Sequence, residues 1–314
     1  MSQKAILAGG SGLLGRALAH RLAAGGWEVV ILTRDPDKFP AADNPAAAAG
    51  AVRAVYWDGE KGGKWTAELE GAAALVNLAG RSINCVFTLE HSREILESRL
   101  HAVQALGKAL AKCKQPPAVW VQASAVGLYG TLGYGLCDEN TPPARDFLAE
   151  VCRQWEDAAR AACPAGMRQV VLRLGVVLDR DGGAYPPLAR LVRRWLGGTA
   201  GSGTQGFSWI HSDDVMLAFL QAITRPEMSG AYNVCAPRPV TNAVLMTALR
   251  RALHRPWVPA APAFVVRWAA VNLMQTDPTL VLGGRPCTPQ RLLAEGFRFE
   301  FPELDAALRD LAGK

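Results

Sequence analysis

The 314-residue chain has no Cys-x-x-Cys pair, and none of its five histidines stands at ligand spacing from its seven cysteines. That absence argues against a zinc or other metal site, and none is expected. Cys85, Cys113, Cys137, Cys152, Cys163, Cys235 and Cys287 form no disulfide framework, so they read as reduced thiols in a cytoplasmic setting. Long hydrophobic runs are missing too. The longest, Pro259–Met274, is broken by Arg267 and two prolines, too short to span a bilayer, so no membrane partner is expected. The first apolar run is short and ends in glycines, unlike a signal peptide. The formal net charge is +6, without a long basic stripe interleaved with aromatics. The densest basic group, Arg190, Arg193 and Arg194, has the spacing of a solvated helix face, and no nucleic-acid partner is expected.

What is present is globular: half of the residues are hydrophobic and a fifth are charged. The length exceeds a typical single core, which favours one large domain with a smaller appendage. Strands are predicted at Ala5–Ala8, Glu28–Thr33, Val52–Tyr56, Leu75–Leu78, Val119–Ser124 and Gln169–Leu174. Helices are predicted at Leu13–Ala24, His91–Lys112 and Phe147–Ala162. This alternation implies an α/β fold, a Rossmann-type doubly wound parallel sheet with helices on both faces. After Leu178 the loops turn glycine-rich and prolines thicken, yet Ala231–Val234 reads as one more strand. The expected division is a nucleotide-binding domain over 1–178, with a returning segment near 207–236. A smaller, interleaved substrate domain takes 179–206 and 237–314.

Residues 5–15 run from an apolar strand directly into Gly9, Gly12 and Gly15, with Leu13, Leu14, Ala17, Leu18 and Leu22 at helical spacing beyond. Strand, Gly-x-x-Gly-x-x-Gly, helix is what a dinucleotide pyrophosphate needs. One glycine makes the turn, one lets backbone N–H groups approach the phosphates, and one lets helix pack on strand. The helix start then offers unpaired amides and partial positive charge. The candidate contacts in this turn are Gly9, Ser11, Gly12, Leu13, Leu14 and Gly15. After the second strand stand Thr33 and Arg34, where an NAD enzyme would place a carboxylate for the ribose hydroxyls. A guanidinium suits a 2′-phosphate by charge and bidentate geometry, so NADP(H) is favoured. A solvated loop arginine is the plainer alternative. Asp58 stands where a strand-end carboxylate could accept from the adenine amino group, and a turn-making Asp explains it nearly as well. The small residues of Asn77-Leu78-Ala79-Gly80 would let the cofactor pass close over the backbone.

The glycine turn, Asn77-Leu78-Ala79-Gly80, the strand ending Ala123-Ser124, Leu172-Arg173, and Trp209 to Val215 together resemble an extended short-chain dehydrogenase/reductase. More narrowly, the chain is similar to the atypical "epimerase family", the cell-division-inhibitor-like nucleoside-diphosphate-sugar epimerases with a small C-terminal domain of unknown function. Pro289-Gln290-Arg291-Leu292 followed by Gly296-Phe297 matches the pattern of that domain, and the likeness runs from Met1 to Leu311. The resemblance implies a Rossmann-type fold and NADP(H), with Thr33 and Arg34 at the adenosine phosphate and Leu78 and Ala79 along the cofactor. It also implies Glu94, Arg99 and Val177 as cofactor contacts. By spacing alone, Glu94 and Arg99, five apart, do not share a helix face and read as surface residues.

Working members of the wider superfamily use a Tyr-x-x-x-Lys pair, with a serine polarising the substrate carbonyl. Four positions after Tyr56, Tyr129, Tyr134, Tyr185 and Tyr232 stand Glu60, Gly133, Asp138, Ala189 and Ala236, so the pair is absent. Counting back from Glu156, its positions hold Leu148 and Cys152. Ser124 remains where the polarising hydroxyl would sit, and Tyr129 is the candidate proton donor; a strand-end cap and a packed loop tyrosine are the plain alternatives. Ser212-Asp213-Asp214 reads as a helix N-cap with favourable dipole charges rather than as catalytic acids beside His211. Cys152 reads as a buried helix cysteine. Two functions follow: an NADP(H)-binding oxidoreductase or epimerase-like enzyme of an unknown small-molecule substrate, or an inactive NADP(H)-binding regulatory or scaffold protein. By analogy with relatives, a homodimer through two core helices is an expectation.

Overall fold

The computed structural model describes residues 3–38, 51–131 and 135–313; Tyr134 lies outside them. Among the described residues, seven strands form one parallel sheet: β1 (Lys4–Ala8), β2 (Glu28–Thr33), β3 (Val52–Tyr56), β4 (Ala74–Asn77), β5 (Val119–Ala125), β6 (Arg168–Leu174) and β10 (Gly230–Val234). Their spatial order is β10-β6-β5-β4-β1-β2-β3. The strands are near-continuous apolar runs because both faces are covered; Ala5 to Ala8 and Val29 to Leu32 are fully buried.

From β1 the chain winds outward to β2 and β3, then returns to start β4 on the other side of β1. Right-handed crossovers therefore put the helices on opposite faces and open a crevice beyond the ends of β1 and β4. One face carries α1 (Leu13–Ala24) and α5 (Ser212–Thr224), joined by an Arg21–Asp213 ion pair. The other carries α2 (Leu89–Leu110) and α3 (Phe147–Ala162), which meet where a Cβ on Gly107 would lie 2.7 Å from Ala162 Cβ. Helix α2 begins two residues before the periodic pattern because the Thr88 hydroxyl accepts from His91 N at 3.1 Å.

The strand at Ala231–Val234 does return to the sheet, pairing with β6 as β10. Between and after these strands lie β7 (Val176–Leu178), β8 (Gly206–Phe207), β9 (Trp209–His211) and β11 (Val240–Thr241). With them come α4 (Tyr185–Arg193), α6 (Asn242–Ala252), α7 (Ala263–Asn272), α8 (Thr279–Leu282), α9 (Gln290–Ala294) and α10 (Leu304–Leu311). Tyr185, Trp209, Leu249 and Leu308 centre a second apolar cluster under α4, α6 and α10. Among the described residues, no helix is long and apolar enough to cross a membrane.

One expected cap is corrected. Helix α5 already begins at Ser212, and its N-cap is His211, whose Nδ1 accepts from Asp213 N at 3.1 Å. Asp214 is fully buried and accepts from Glu300 N at 2.7 Å and Phe301 N at 3.1 Å. The acids thus tie α5 to α1 and to the C-terminal segment, partners that no local spacing reveals.

Candidate functional site

The crevice floor is backbone. Beyond β1 the chain turns at Gly9 with φ +72°, a left-handed conformation suited to glycine. A Cβ there would lie 2.7 Å from Ala79 Cα, so the loops after β1 and β4 touch. Gly9 N donates to Leu32 O at 3.0 Å and Leu78 N to Ala8 O at 2.9 Å, pinning both loops to neighbouring strands. Gly15 is the close-packing glycine: its Cβ would stand 2.4 Å from Gly10 Cα. Gly10, which the three-glycine pattern passes over, is just as confined, its Cβ falling 2.8 Å from Leu7 Cβ. Gly12 is the N-cap of α1, and a Cβ there would meet Gly9 O at an unstrained 3.9 Å. Among the described residues no side chain caps this helix, and its first turn holds no acid, so its leading amides face the crevice unneutralised.

Around this floor, Ser11 Oγ accepts from Thr33 Oγ1 at 3.0 Å, linking the turn to the end of β2. Arg34 follows, exposed and without an ion pair among the described residues. Leu13 is partly exposed, while Leu14 packs on the sheet core. A Cβ on Gly182 would lie 2.6 Å from Leu13 Cδ2, so the β7–α4 loop overhangs the first turn of α1. Val177 anchors that loop, its carbonyl accepting from Ala184 N at 2.9 Å. Asp58 accepts from Glu60 N at 2.9 Å and Lys61 N at 2.8 Å, and the Lys61 and Glu60 amides hold its carboxyl below the usual range. That is turn-making by a partly exposed carboxylate.

Asn77 Oδ1 accepts from Ala79 N at 3.1 Å while its Nδ2 donates to Gln122 Oε1 at 3.0 Å, which fixes the β4 loop. Next to it, a Cβ on Gly80 would meet Arg99 Cζ at 3.1 Å. Arg99 donates to Arg81 O at 3.0 Å and Ile95 O at 2.8 Å and stacks 4.9 Å from the Trp155 ring centroid. Glu94 pairs with the Arg81 guanidinium. Glu94 and Arg99, which spacing alone reads as surface residues, are both half-buried and meet through the loop after Gly80, although the Glu94 side chain keeps 44% of its surface exposed.

Farther along the sheet edge, Ser124 Oγ donates to Glu156 Oε1 at 2.6 Å. Arg173 grips the same carboxylate through Nε at 2.9 Å and Nη2 at 2.8 Å, with side chains only 11% and 5% exposed. Its Nη1 donates to the Tyr129 hydroxyl at 2.9 Å, and that hydroxyl donates to Asn233 Oδ1 at 2.7 Å. Asn233 Nδ2 donates to Thr288 O at 3.0 Å, and Asn233 N to Glu139 Oε1 at 3.0 Å. Tyr129 is fully buried, and burial pushes its phenol well above the ordinary value despite Arg173. Leu148 and Cys152 flank the turn after β5, each 3.8 Å from where a Gly127 Cβ would be. Burial and then Glu156 push the Cys152 thiol up to about 11. Neither Tyr129 nor Cys152 ionises near neutral pH. Residue-type reasoning overlooked the Glu156–Arg173 pair, although both left a trace: Arg173 interrupts an apolar strand, and Glu156 lies one turn beyond Cys152 on the buried stripe of α3.

A family model described as NAD dependent epimerase/dehydratase family matches residues 5–235, and a domain of unknown function (DUF1731) matches residues 261–311. The chain belongs to the NAD dependent epimerase/dehydratase family. Among relatives in this family, the chloroplastic epimerase family protein SDR39U1 homolog of Arabidopsis thaliana is 37% identical over 310 residues. That match covers 96% of this chain and 84% of the relative. Epimerase family protein SDR39U1 of Homo sapiens is 35% identical over 316 residues, 98% of this chain and 99% of that one. A crystal structure of the human protein (isoform 2) with NADPH superposes with a TM-score of 0.85 at 34% identity, covering 99% and 100% of the two chains. The likeness confirms the Rossmann-type α/β fold expected from the alternation of elements. This epimerase-family chain has the glycine cradle, and none of its five tyrosines is followed four positions later by a lysine.

Proposed function

We propose that the chain binds NADP(H) along the crevice between β1 and β4 and acts on a small molecule as an oxidoreductase or epimerase-like enzyme. The observation that carries this reading is the uncapped start of α1, set in contact with the β4 loop where a Cβ on Gly9 would strike Ala79. The crevice fits a dinucleotide. Backbone amides at Gly12 to Leu14 meet a pyrophosphate, and Ala79 and Gly80 leave room above the sheet. The exposed Arg34 at the tip of β2 suits a 2′-phosphate. The human relative crystallised with NADPH supports the same assignment. All seven cysteines are free thiols, which supports a reducing, cytoplasmic setting.

Bound NADP(H) would supply or accept a hydride. The chain's part is to position the reactants and polarise the substrate. Ser124, at the end of β5, would serve by swinging its single hydrogen from Glu156 to a substrate oxygen. Glu156 would keep its two bonds to Arg173 meanwhile. A second reading, binding without turnover, is favoured by a specific observation: Ser124, Glu156, Arg173 and Tyr129 bond one another.

Titration of purified protein tests the cofactor reading. NADPH should bind at least about tenfold more tightly than NADH, and Arg34→Ala should erase the difference. Equal wild-type affinities would remove Arg34 from the site. NADPH consumption with aldehydes, ketones and nucleotide sugars then separates the two functions. Turnover lost in Ser124→Ala supports the enzyme, whereas tight binding with no turnover across the panel supports the regulator.

A further inference from the structure

Arg190, Arg193 and Arg194 stand at i, i+3 and i+4 over the last turn of α4. A solvated face and the negative end of the helix dipole account for cations there. They do not account for a fourth guanidinium arriving from elsewhere. Arg180, on the loop before α4, faces the same depression of about 560 Å³, whose other walls are Tyr185, Pro186 and the end of α10. No acidic side chain is among its lining residues. Arg180 donates to Asp310 O at 2.5 Å, its guanidinium 3.9 Å from the Asp310 carboxylate. The other three have no ion pair among the described residues.

Tyr185 supplies a second, independent observation. It is 3% exposed, and its hydroxyl has no hydrogen-bond partner among the described residues. A buried hydroxyl is unfavourable to leave unpaired. Burial lifts the phenol, while the Arg193 and Arg180 guanidiniums draw it back down. The depression thus combines crowded cations and ligand-sized volume, with an orphaned hydroxyl sealed just beneath its wall.

We propose that this depression binds a small molecule carrying two or more phosphate groups. Two guanidiniums can hold one phosphate bidentately, so four exceed what a single anion needs. A polynucleotide would need a longer basic track than this one depression. The site shares no residue with the cofactor crevice. Among the described residues, the two approach each other at the β7–α4 loop, where Gly182 lies on Leu13 and Arg180 and Tyr185 line the depression.

Calorimetric titration of inorganic tripolyphosphate into the full chain tests this, with sulfate as the single-anion probe. One tripolyphosphate is expected at this depression, in addition to any held by the glycine turn, with sulfate at least about tenfold weaker there. Arg190→Ala/Arg193→Ala should weaken tripolyphosphate at least about tenfold, and Tyr185→Phe more modestly. Arg34→Ala, which alters the cofactor crevice, should leave it unchanged, and circular dichroism checks that each variant is folded. No heat from the wild type overturns the proposal, as does full affinity in the folded double variant. Loss in Arg34→Ala instead would assign the ion to the cofactor crevice, and sulfate binding as tightly would overturn the multiple-phosphate class. None of these outcomes depends on NADPH binding.

Discussion

Two places on the same sheet edge are built in opposite ways. At the end of β1 the chain presents backbone: glycines pressed against neighbouring main chain, and a helix start left without a cap. At the end of β5 it presents side chains, and these spend their hydrogen bonds on one another from Ser124 through Glu156 and Arg173 to Tyr129 and Asn233. The first arrangement leaves polar groups waiting for a ligand. The second leaves few. Recognition of a pyrophosphate and the handling of protons are therefore separable in this fold, since one rests on main-chain shape and the other needs unspent side-chain valences.

The sharpest way to break this contrast is Arg173→Leu, which strands the Glu156 carboxylate in the interior. Removing one partner of a buried pair costs about 3–5 kcal/mol, and urea unfolding should show a loss of that size. The double variant Glu156→Leu/Arg173→Leu should lose much less than the two single changes summed. A loss under about 1 kcal/mol for Arg173→Leu would mean that water reaches the network and that it is not closed.

Gly9→Ala strikes the other region. A left-handed, non-glycine residue costs about 1–2 kcal/mol, before the overlap with Ala79 is added. Calorimetry should find NADPH binding lost with the fold still present by circular dichroism, whereas unchanged NADPH affinity would detach the glycine turn from the cofactor. The smallest effect concerns Cys152. With its thiol lifted to about 11, iodoacetamide at pH 7.5 should label it far more slowly than a free cysteine peptide, as peptide mass spectrometry would show. Rapid labelling would put an open, ionising group beside Ser124. The same shift has a sign for stability. Between the ordinary thiol value of 9.0 and about 11 the unfolded chain releases a proton that the folded chain keeps, so this group lowers stability as pH rises through that window.

The glycine turn could be read directly because its requirement is local: a strand, a left-handed residue and a helix start within eleven positions. Arg173 and Glu156 could not be paired by reading, since a charge in an apolar strand signals a buried partner without saying which. Spacing alone reads Glu94 and Arg99 as surface residues because it describes a helix alone; only the resemblance points them at the cofactor, and their meeting point is the loop after β4. The cap of α5 was placed one residue late for a related reason: Asp214 looks like a capping acid until the amides of Glu300 and Phe301 arrive from the far end of the chain.

By itself the sequence determined the alternating elements, the parallel sheet and the phosphate-seeking turn, since periodicity and glycine placement act over a few residues. Only the tertiary structure decided which polar side chains are consumed. Whether a hydroxyl, a carboxylate or a guanidinium is free depends on partners that folding brings from other elements, 17 residues away for Arg173 and Glu156 and 104 for Tyr129 and Asn233.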